Sequence, residues 1–294
     1  MPDPRASLTL VPGTELPEAD WHAAFTAAFS DYLIGPFRLT LAQWPGFLAR
    51  QGVDLGLSRA AVVGGQLLAF ALAAPRPGLH PPRWRLGTMG AVPEARGAGL
   101  APRLLDDFLS RAAAHGAAFV ELEVFAANER AVRLYQGRGF QIVHGLYGYE
   151  RAAAATAAPG AADVPAPQAL ALDDAWAWLD EAERRLPDLP LQVTSGVLAV
   201  AAAAAPGTLH AWRAGEAQLV FAERPGEPVQ LHGLVDRDPA QAGAHALANA
   251  LAAAFPGRLL RMPALQRADI GGDALAAAGF VRQPMHQWLM RRAL

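Results

Sequence analysis

Cysteine is absent from the 294 residues, which excludes disulfide frameworks, thiolate metal sites and a cysteine nucleophile. Lysine is absent as well. All 25 basic residues are arginine, and with the abundance of alanine this reads as a coding bias, so any single arginine carries less weight than usual. Neither sign of charge is in excess, and a formal net charge of -2 gives no reason to expect a nucleic-acid surface. Hydrophobic residues make up 52%, yet no uninterrupted apolar run is long enough to cross a bilayer. The N-terminal MPDPRASL lacks a basic-then-apolar signal. A soluble, cytoplasmic protein with no membrane partner is the expectation. His22, His80, His115 and His144 show no paired ligand spacing, so no metal site is expected.

The length suits two domains. The clearest break is AAAATAAPGAADVPAP, residues 152–167, where Pro and Ala without periodicity read as an extended linker. It separates residues 1–151 from residues 168–294. In the first part, Ser7–Val11 predicts a short strand and Glu18–Tyr32 a helix, through Trp21, Ala24, Phe25, Ala28 and Phe29. Thr40 and Gln43 form a capping-box pattern ahead of a second helix, with Pro45 in its first turns. Two apolar runs around Gly64-Gly65 predict a hairpin. A strand over Arg83–Val92, a helix after Gly99, a strand over Phe119–Val124, a helix over about Asn128–Gly137 and two strands around Phe140 and Tyr147 complete the order β-α-α-β-β-β-α-β-α-β-β. That order predicts a mixed sheet of the α/β (α+β) class rather than a doubly wound one.

The stretch GTMGAVPEARGAGLAPRLL places small residues between a strand end and a long amphipathic helix. A helix N-terminus offers unpaired N–H groups and the positive end of its dipole, and small residues let a diphosphate approach that backbone. Val92 followed by Arg96-Gly97-Ala98-Gly99-Leu100-Ala101 resembles the acyl-CoA signature of the GNAT superfamily of N-acetyltransferases. LEVFAANERAVRLYQGRGF, from Leu122 to Phe140, looks like the second signature of that family. The resemblance implies that the diphosphate is that of acetyl-CoA as cosubstrate. Ala91 and Val92 would end a strand that splays open for the pantetheine arm, and the backbone from Arg96 to Ala101 would grip the pyrophosphate.

The same resemblance suggests roles for three more residues. Asn128 matches a position that contacts the cofactor arm and caps the next helix, or it is a plain N-cap. Tyr135 matches the tyrosine that protonates the departing thiolate, or it is only core. On FVELEVF, alternation puts Glu121 and Glu123 on one face. Glu123 precedes Tyr135 by the spacing of family members that use such a glutamate as base through water, and a structural role is equally open. Tyr32, Phe37 and Trp44 would cover the acceptor, and Asp31 could meet its ammonium but reads rather as a solvated carboxylate at a helix end.

The second part carries a weaker copy of the first. Val235 falls on Val92, Leu247 on Leu104, Phe280 on Phe140 and Arg291 on Arg151. The chemistry does not repeat, because Pro239, Ala240 and Ala242 stand at Arg96, Gly97 and Gly99, and Leu275 at Tyr135. Two tandem acyl-CoA N-acyltransferase folds follow, the second without a cofactor signature. The chain would be a monomer acting as an internal pseudo-dimer, or a homodimer. The function implied is acetyl transfer from acetyl-CoA to a primary amine by direct attack. A non-catalytic acyl-CoA sensor and a pseudo-dimeric scaffold are the other readings.

Overall fold

A computed structural model describes residues 8–76, 81–153 and 167–294. Most of the expected linker, together with Ser7 and His80, lies outside the described residues. The chain forms two compact units. One comprises Met1–Val124, Asn128–Gln141 and Met290–Leu294; the other comprises Phe125–Ala127 and Ile142–Leu289.

The first unit runs β1 (Thr9–Pro12), α1 (Glu18–Ala28), α2 (Trp44–Arg50), β2 (Asp54–Val63), β3 (Gln66–Arg76), β4 (Arg83–Ala91), α3 (Leu100–Ala114), β5 (Phe119–Phe125) and α4 (Glu129–Gln136). β1 to β4 are antiparallel neighbours in chain order, and β5 lies parallel to β4. A parallel neighbour requires a crossover, and α3 supplies it. Leu104, Leu105, Phe108, Leu109 and Ala112 of α3 are buried while Arg103, Asp106 and Ser110 face water, the stripe expected of a helix covering a sheet. The N–H of Leu294, after the last strand, donates to the Ala118 carbonyl at 3.0 Å.

α1 is shorter than the pattern suggests. It stops at Ala28, where the carbonyl accepts from the Arg96 guanidinium at 3.1 Å instead of from a further turn of helix. The Thr40–Gln43 capping box is present, but it caps a short 3-10 turn, Leu41–Gln43, that leads into α2 with Pro45 in its first turn. α1 and α2 pack through an aromatic cluster of Phe25, Phe29, Phe37, Trp44, Phe47 and Phe70, ring centroids about 5–6 Å apart.

The second unit repeats the order. β6 (Gln141–Arg151) is followed by β7 (Gln168–Leu170), α5 (Leu172–Arg185), α6 (Ser195–Ala204), β8 (Leu209–Ala214), β9 (Ala217–Ala222), β10 (Val229–Asp236), α7 (Ala242–Ala254), β11 (Leu260–Arg267), α8 (Gly272–Ala277) and β12 (Val281–Ala293). Its strand order is β12-β6-β11-β10-β9-β8-β7, and its parallel neighbours β10 and β11 are bridged by α7. The two strands expected around Phe140 and Tyr147 are a single one, β6, which carries Tyr147 and Tyr149 without a turn between them. The loop after Tyr135 matches the one after Leu275 in detail. Phe140 N–H donates to the Tyr135 carbonyl at 3.1 Å and Phe280 N–H to the Leu275 carbonyl at 3.0 Å, and Gly139 and Gly279 both have φ +82°. Among the described residues no helix is long and apolar enough to cross a membrane.

Trp21 is fully buried on α1, edge-on to Phe70, and its indole N–H donates to the Gly13 carbonyl at 3.0 Å. Deleting a buried aromatic side chain costs about 3–5 kcal/mol. Trp21→Ala is therefore expected to lower the urea midpoint of the first unit markedly, as read by circular dichroism.

Candidate active site

The site begins where β4 and β5 part. They pair only over Arg83–Phe119, Trp84–Val120 and Arg85–Glu121. From Leu86 to Ala91, β4 keeps β3 on one side and has no ladder partner on the other among the described residues. A register shift at Gly87, which pairs Leu72 with Thr88 but Ala73 with Leu86, bends β4 at the point of divergence.

The closed end is fixed by ion pairs on one face. Arg76 meets Glu121 at 2.8 Å, and Arg83 and Arg291 approach the same carboxylate at 3.4 and 3.6 Å. Arg85 takes Glu123 at 2.5 Å and also donates to Gln51 at 3.0 Å. Glu121 and Glu123 thus share a face, as alternation predicts, and both side chains are only 3% exposed. Glu123 is held by a guanidinium rather than standing free. The sequence reading missed the arginine partners, although Arg83-x-Arg85 on one strand and Glu121-x-Glu123 on its neighbour, two residues out of register, are a readable signal.

At the far end of β4 the chain turns through Pro93–Ala95 into the loop before α3. The N–H groups of Arg96 and Ala98 donate to Pro93 and Ala95 at 3.2 and 3.3 Å. Those of Gly97, Gly99, Leu100 and Ala101 have no partner among the described residues, and no side chain caps the helix. Gly97 and Gly99 have φ +86° and +76°, a region that penalises residues with a Cβ. A Cβ at either position would project into open space. Bare donors, the positive end of a 15-residue helix and an unobstructed approach make a seat for an anion. The Arg96 side chain turns away from that seat. Its guanidinium forks onto Asp31 at 2.6 and 2.7 Å, so Asp31, whose carboxylate stays exposed to solvent, is also an ion-pair partner.

β5 leads to Asn128, which caps α4 by accepting from Ala131 N–H at 3.2 Å. Tyr135 lies on α4, buried beside Phe140 with ring centroids 5.7 Å apart. Burial pushes its hydroxyl well above the usual phenol range, and Tyr32 adds to the effect. Tyr32 is itself hydrogen-bonded to Asn128. The structure therefore brings Tyr32, Asn128 and Tyr135 together in the first unit. Trp44, expected to face an acceptor, is fully buried in the aromatic cluster and serves as core. Phe37 remains 37% exposed. Among the described residues no group of His, Asp or Glu is arranged to hold a metal ion.

In the second unit the same places are filled from within. The Asp236 carboxylate, 2% exposed, accepts from Ala244 N–H in the first turn of α7 and from Asp238 N–H, both at 2.9 Å. β10 and β11 likewise pair only over Val229–Leu260 and Gln230–Arg261 before parting. There the Gln266 amide bridges the gap, accepting from Leu234 N–H at 3.3 Å and donating to the Leu234 carbonyl at 2.9 Å. The left-handed residue before α7 is Gln241, φ +54°, one position earlier than the sequence match with Ala242 suggests. Its side chain ties Ala268 to Ala274. No pattern in the sequence announces these substitutes.

Residues 18–140 match the model of the Acetyltransferase (GNAT) family. A mycothiol acetyltransferase from Paenarthrobacter aurescens (strain TC1) is 34% identical over 145 residues, 48% of this chain and 43% of that protein. The chain thus spans less than half the length of this curated relative. Among solved structures, a GCN5-related N-acetyltransferase from Anabaena variabilis ATCC 29413 superposes with a TM-score of 0.66 at 12% identity, over 97% of this chain and 72% of that one. One from Kribbella flavida gives 0.63 at 17% identity, over 98% and 71%. At such identities these two likenesses speak to the fold alone.

Asp236→Ala removes the acceptor for buried N–H groups at the head of α7. Given about 1–3 kcal/mol for a buried group left unsatisfied, the second unit is expected to unfold at lower urea. A midpoint equal to wild type would show that water replaces the carboxylate.

Proposed function

We propose, from the match of residues 18–140 to the GNAT acetyltransferase family, that the chain is an N-acetyltransferase taking acetyl from acetyl-CoA to a primary amine. The observation that carries the reading is the pairing of an open slot beside β4 with an uncapped helix N-terminus at its end. A long, thin ligand with a diphosphate in its middle fits that pairing. Gly97, Gly99, Leu100 and Ala101 would receive the diphosphate through their N–H groups, and the free edge of β4 up to Ala91 and Val92 would line the arm. Asn128 would touch the arm near the reacting end while capping α4. Acetyl-CoA supplies an activated thioester, so no covalent enzyme intermediate is needed.

In this reading Tyr135 acts as the general acid for the departing thiolate. The proton-bearing form is the working one. It is present below the hydroxyl's pKa and lost above it, and because burial raises that pKa, Tyr135 keeps its proton throughout neutral and moderately alkaline solution. Glu123 is the proposed base toward the acceptor ammonium, acting through water, and Arg85 fixes its carboxylate at the point where the strands part. The acceptor would enter beside Tyr32 and Phe37. The name of the curated relative makes a small-molecule amine a natural first member of an acceptor panel, with peptide N-termini as the second.

Cofactor binding is proposed for the first unit alone, since Asp236 and Gln266 occupy the matching positions of the second. Calorimetric titration with CoA is expected to give one site per chain. Gly99→Val, which adds backbone strain and bulk at the seat, is expected to weaken CoA binding by at least about tenfold with an unchanged circular dichroism spectrum. Two sites of similar affinity, or an unaffected Gly99→Val, would refute this assignment.

Release of free thiol from acetyl-CoA, followed across a panel of amines, tests the activity itself. An acyl-CoA sensor binds without releasing thiol, and a scaffold does neither. With an accepted amine, Tyr135→Phe is expected to lower kcat by about 10²-fold, the lower end of the range for general acids because a thiolate leaves readily, with CoA affinity retained. Glu123→Gln is expected to lower kcat by a similar factor with CoA affinity and thermal stability retained. A loss of thermal stability with kcat intact would assign Glu123 to structure instead.

A further inference from the structure

Arg96 stands in the loop that offers its N–H groups to the diphosphate, yet its side chain serves a different segment. It makes three bonds there: two to the Asp31 carboxylate, at 2.6 and 2.7 Å, and one to the Ala28 carbonyl at 3.1 Å. Ala28 ends α1, and Asp31 begins the exposed stretch that leads to α2. That stretch is otherwise held by the rings of Tyr32 and Phe37 against Phe29 and Phe25 and by a few hydrogen bonds. Gly35 N–H donates to the Tyr32 carbonyl at 2.8 Å, Phe37 N–H to Phe29 at 3.2 Å, and His22 meets the Leu39 carbonyl at 2.6 Å. Leu33 and Ile34, 47% and 52% exposed, sit between these anchors. The residue after Asp31 is Tyr32, hydrogen-bonded to Asn128 and electrostatically coupled to Tyr135.

We propose that the Arg96–Asp31 fork is a mechanical link between the diphosphate loop and the segment from Asp31 to Thr40, so that a bound cofactor orders the acceptor side of the site. Asp31 is then a positioning residue. The inference rests on the reading of Gly97–Ala101 as the diphosphate seat.

The physical steps are few. Gly97 and Gly99 leave the loop around Arg96 conformationally permissive. An anion held by four N–H groups fixes the Arg96 backbone. A fixed backbone presents a planar fork that Asp31 matches in two parallel bonds, a geometry that limits both distance and angle. The hydrogen bond from Arg96 holds the Asp31 carboxyl below its ordinary range, so the link is intact at neutral pH. Tyr32 follows by covalent connection and is set against Asn128 and Tyr135. Coupling of this kind is reciprocal: whatever the cofactor gains for the acceptor, the acceptor gains for the cofactor. Because the pair is exposed, the effect is modest, about fivefold or less.

Hydrogen exchange read by mass spectrometry tests the link with CoA as the probe and without an acceptor. In the wild-type chain, saturating CoA is expected to slow exchange at residues 97–101 and, by about three- to fivefold, at residues 31–40. In Asp31→Asn the slowing at 97–101 is expected to remain and the slowing at 31–40 to vanish. Asp31→Glu, which keeps the charge, is expected to restore part of it. If CoA protects 97–101 but never 31–40, or if Asp31→Asn leaves the protection of 31–40 intact, the link is wrong while the diphosphate seat stands. If CoA protects neither segment, the seat and the link fall together.

Discussion

Two neighbouring parallel strands that are bonded at one end and separate at the other set the terms for the rest of this molecule. Parallel strands left to themselves continue their ladder. Here β4 and β5 are clamped by Arg76, Arg83 and Arg291 on Glu121 and by Arg85 on Glu123, while the shift at Gly87 bends β4 away. Buried ion pairs of this kind add little net stability against an apolar alternative, but breaking one is costly. Their work is to hold the strands together where they must meet, so that the backbone beyond can stand open.

The two units answer the same geometric problem differently. Both contain a parallel pair that parts early and a helix that starts beside the gap. Open backbone needs partners. In the first unit the donors at the head of α3 are left to what comes from outside. In the second, a carboxylate at one place and a side-chain amide at the other satisfy the backbone from within. Gly243 is packed so tightly on Ala214 and Ala217 that even a Cβ would clash there, which leaves the head of α7 little room.

Much of this was legible from residues. Small residues before an amphipathic helix mark the proposed anion seat because only a Gly tolerates φ near +80° at no cost. The repeat was legible because core positions such as Phe140 and Phe280 keep their spacing. Side-chain direction was not. Nothing in the string says that Arg96 turns back to Asp31, that Trp44 enters the aromatic core, or that the strand after Phe140 runs unbroken to Arg151. Those outcomes depend on contacts between segments far apart in sequence. Gln266 is the clearest case, since a glutamine on a strand looks like surface until the gap it fills is known.

The side chains lodged in the second unit also bear on how such a domain changes over generations. Losing Asp236 alone leaves the Ala244 amide without its acceptor, and losing Gln266 alone strands both polar groups of Leu234. Neither step opens a usable seat by itself, because the glycines and the bare helix start are missing too. Each first move toward an open helix start is therefore a loss with no return. The internal substitutes thus resist single-residue reversal, because removing either one costs stability before any seat is opened.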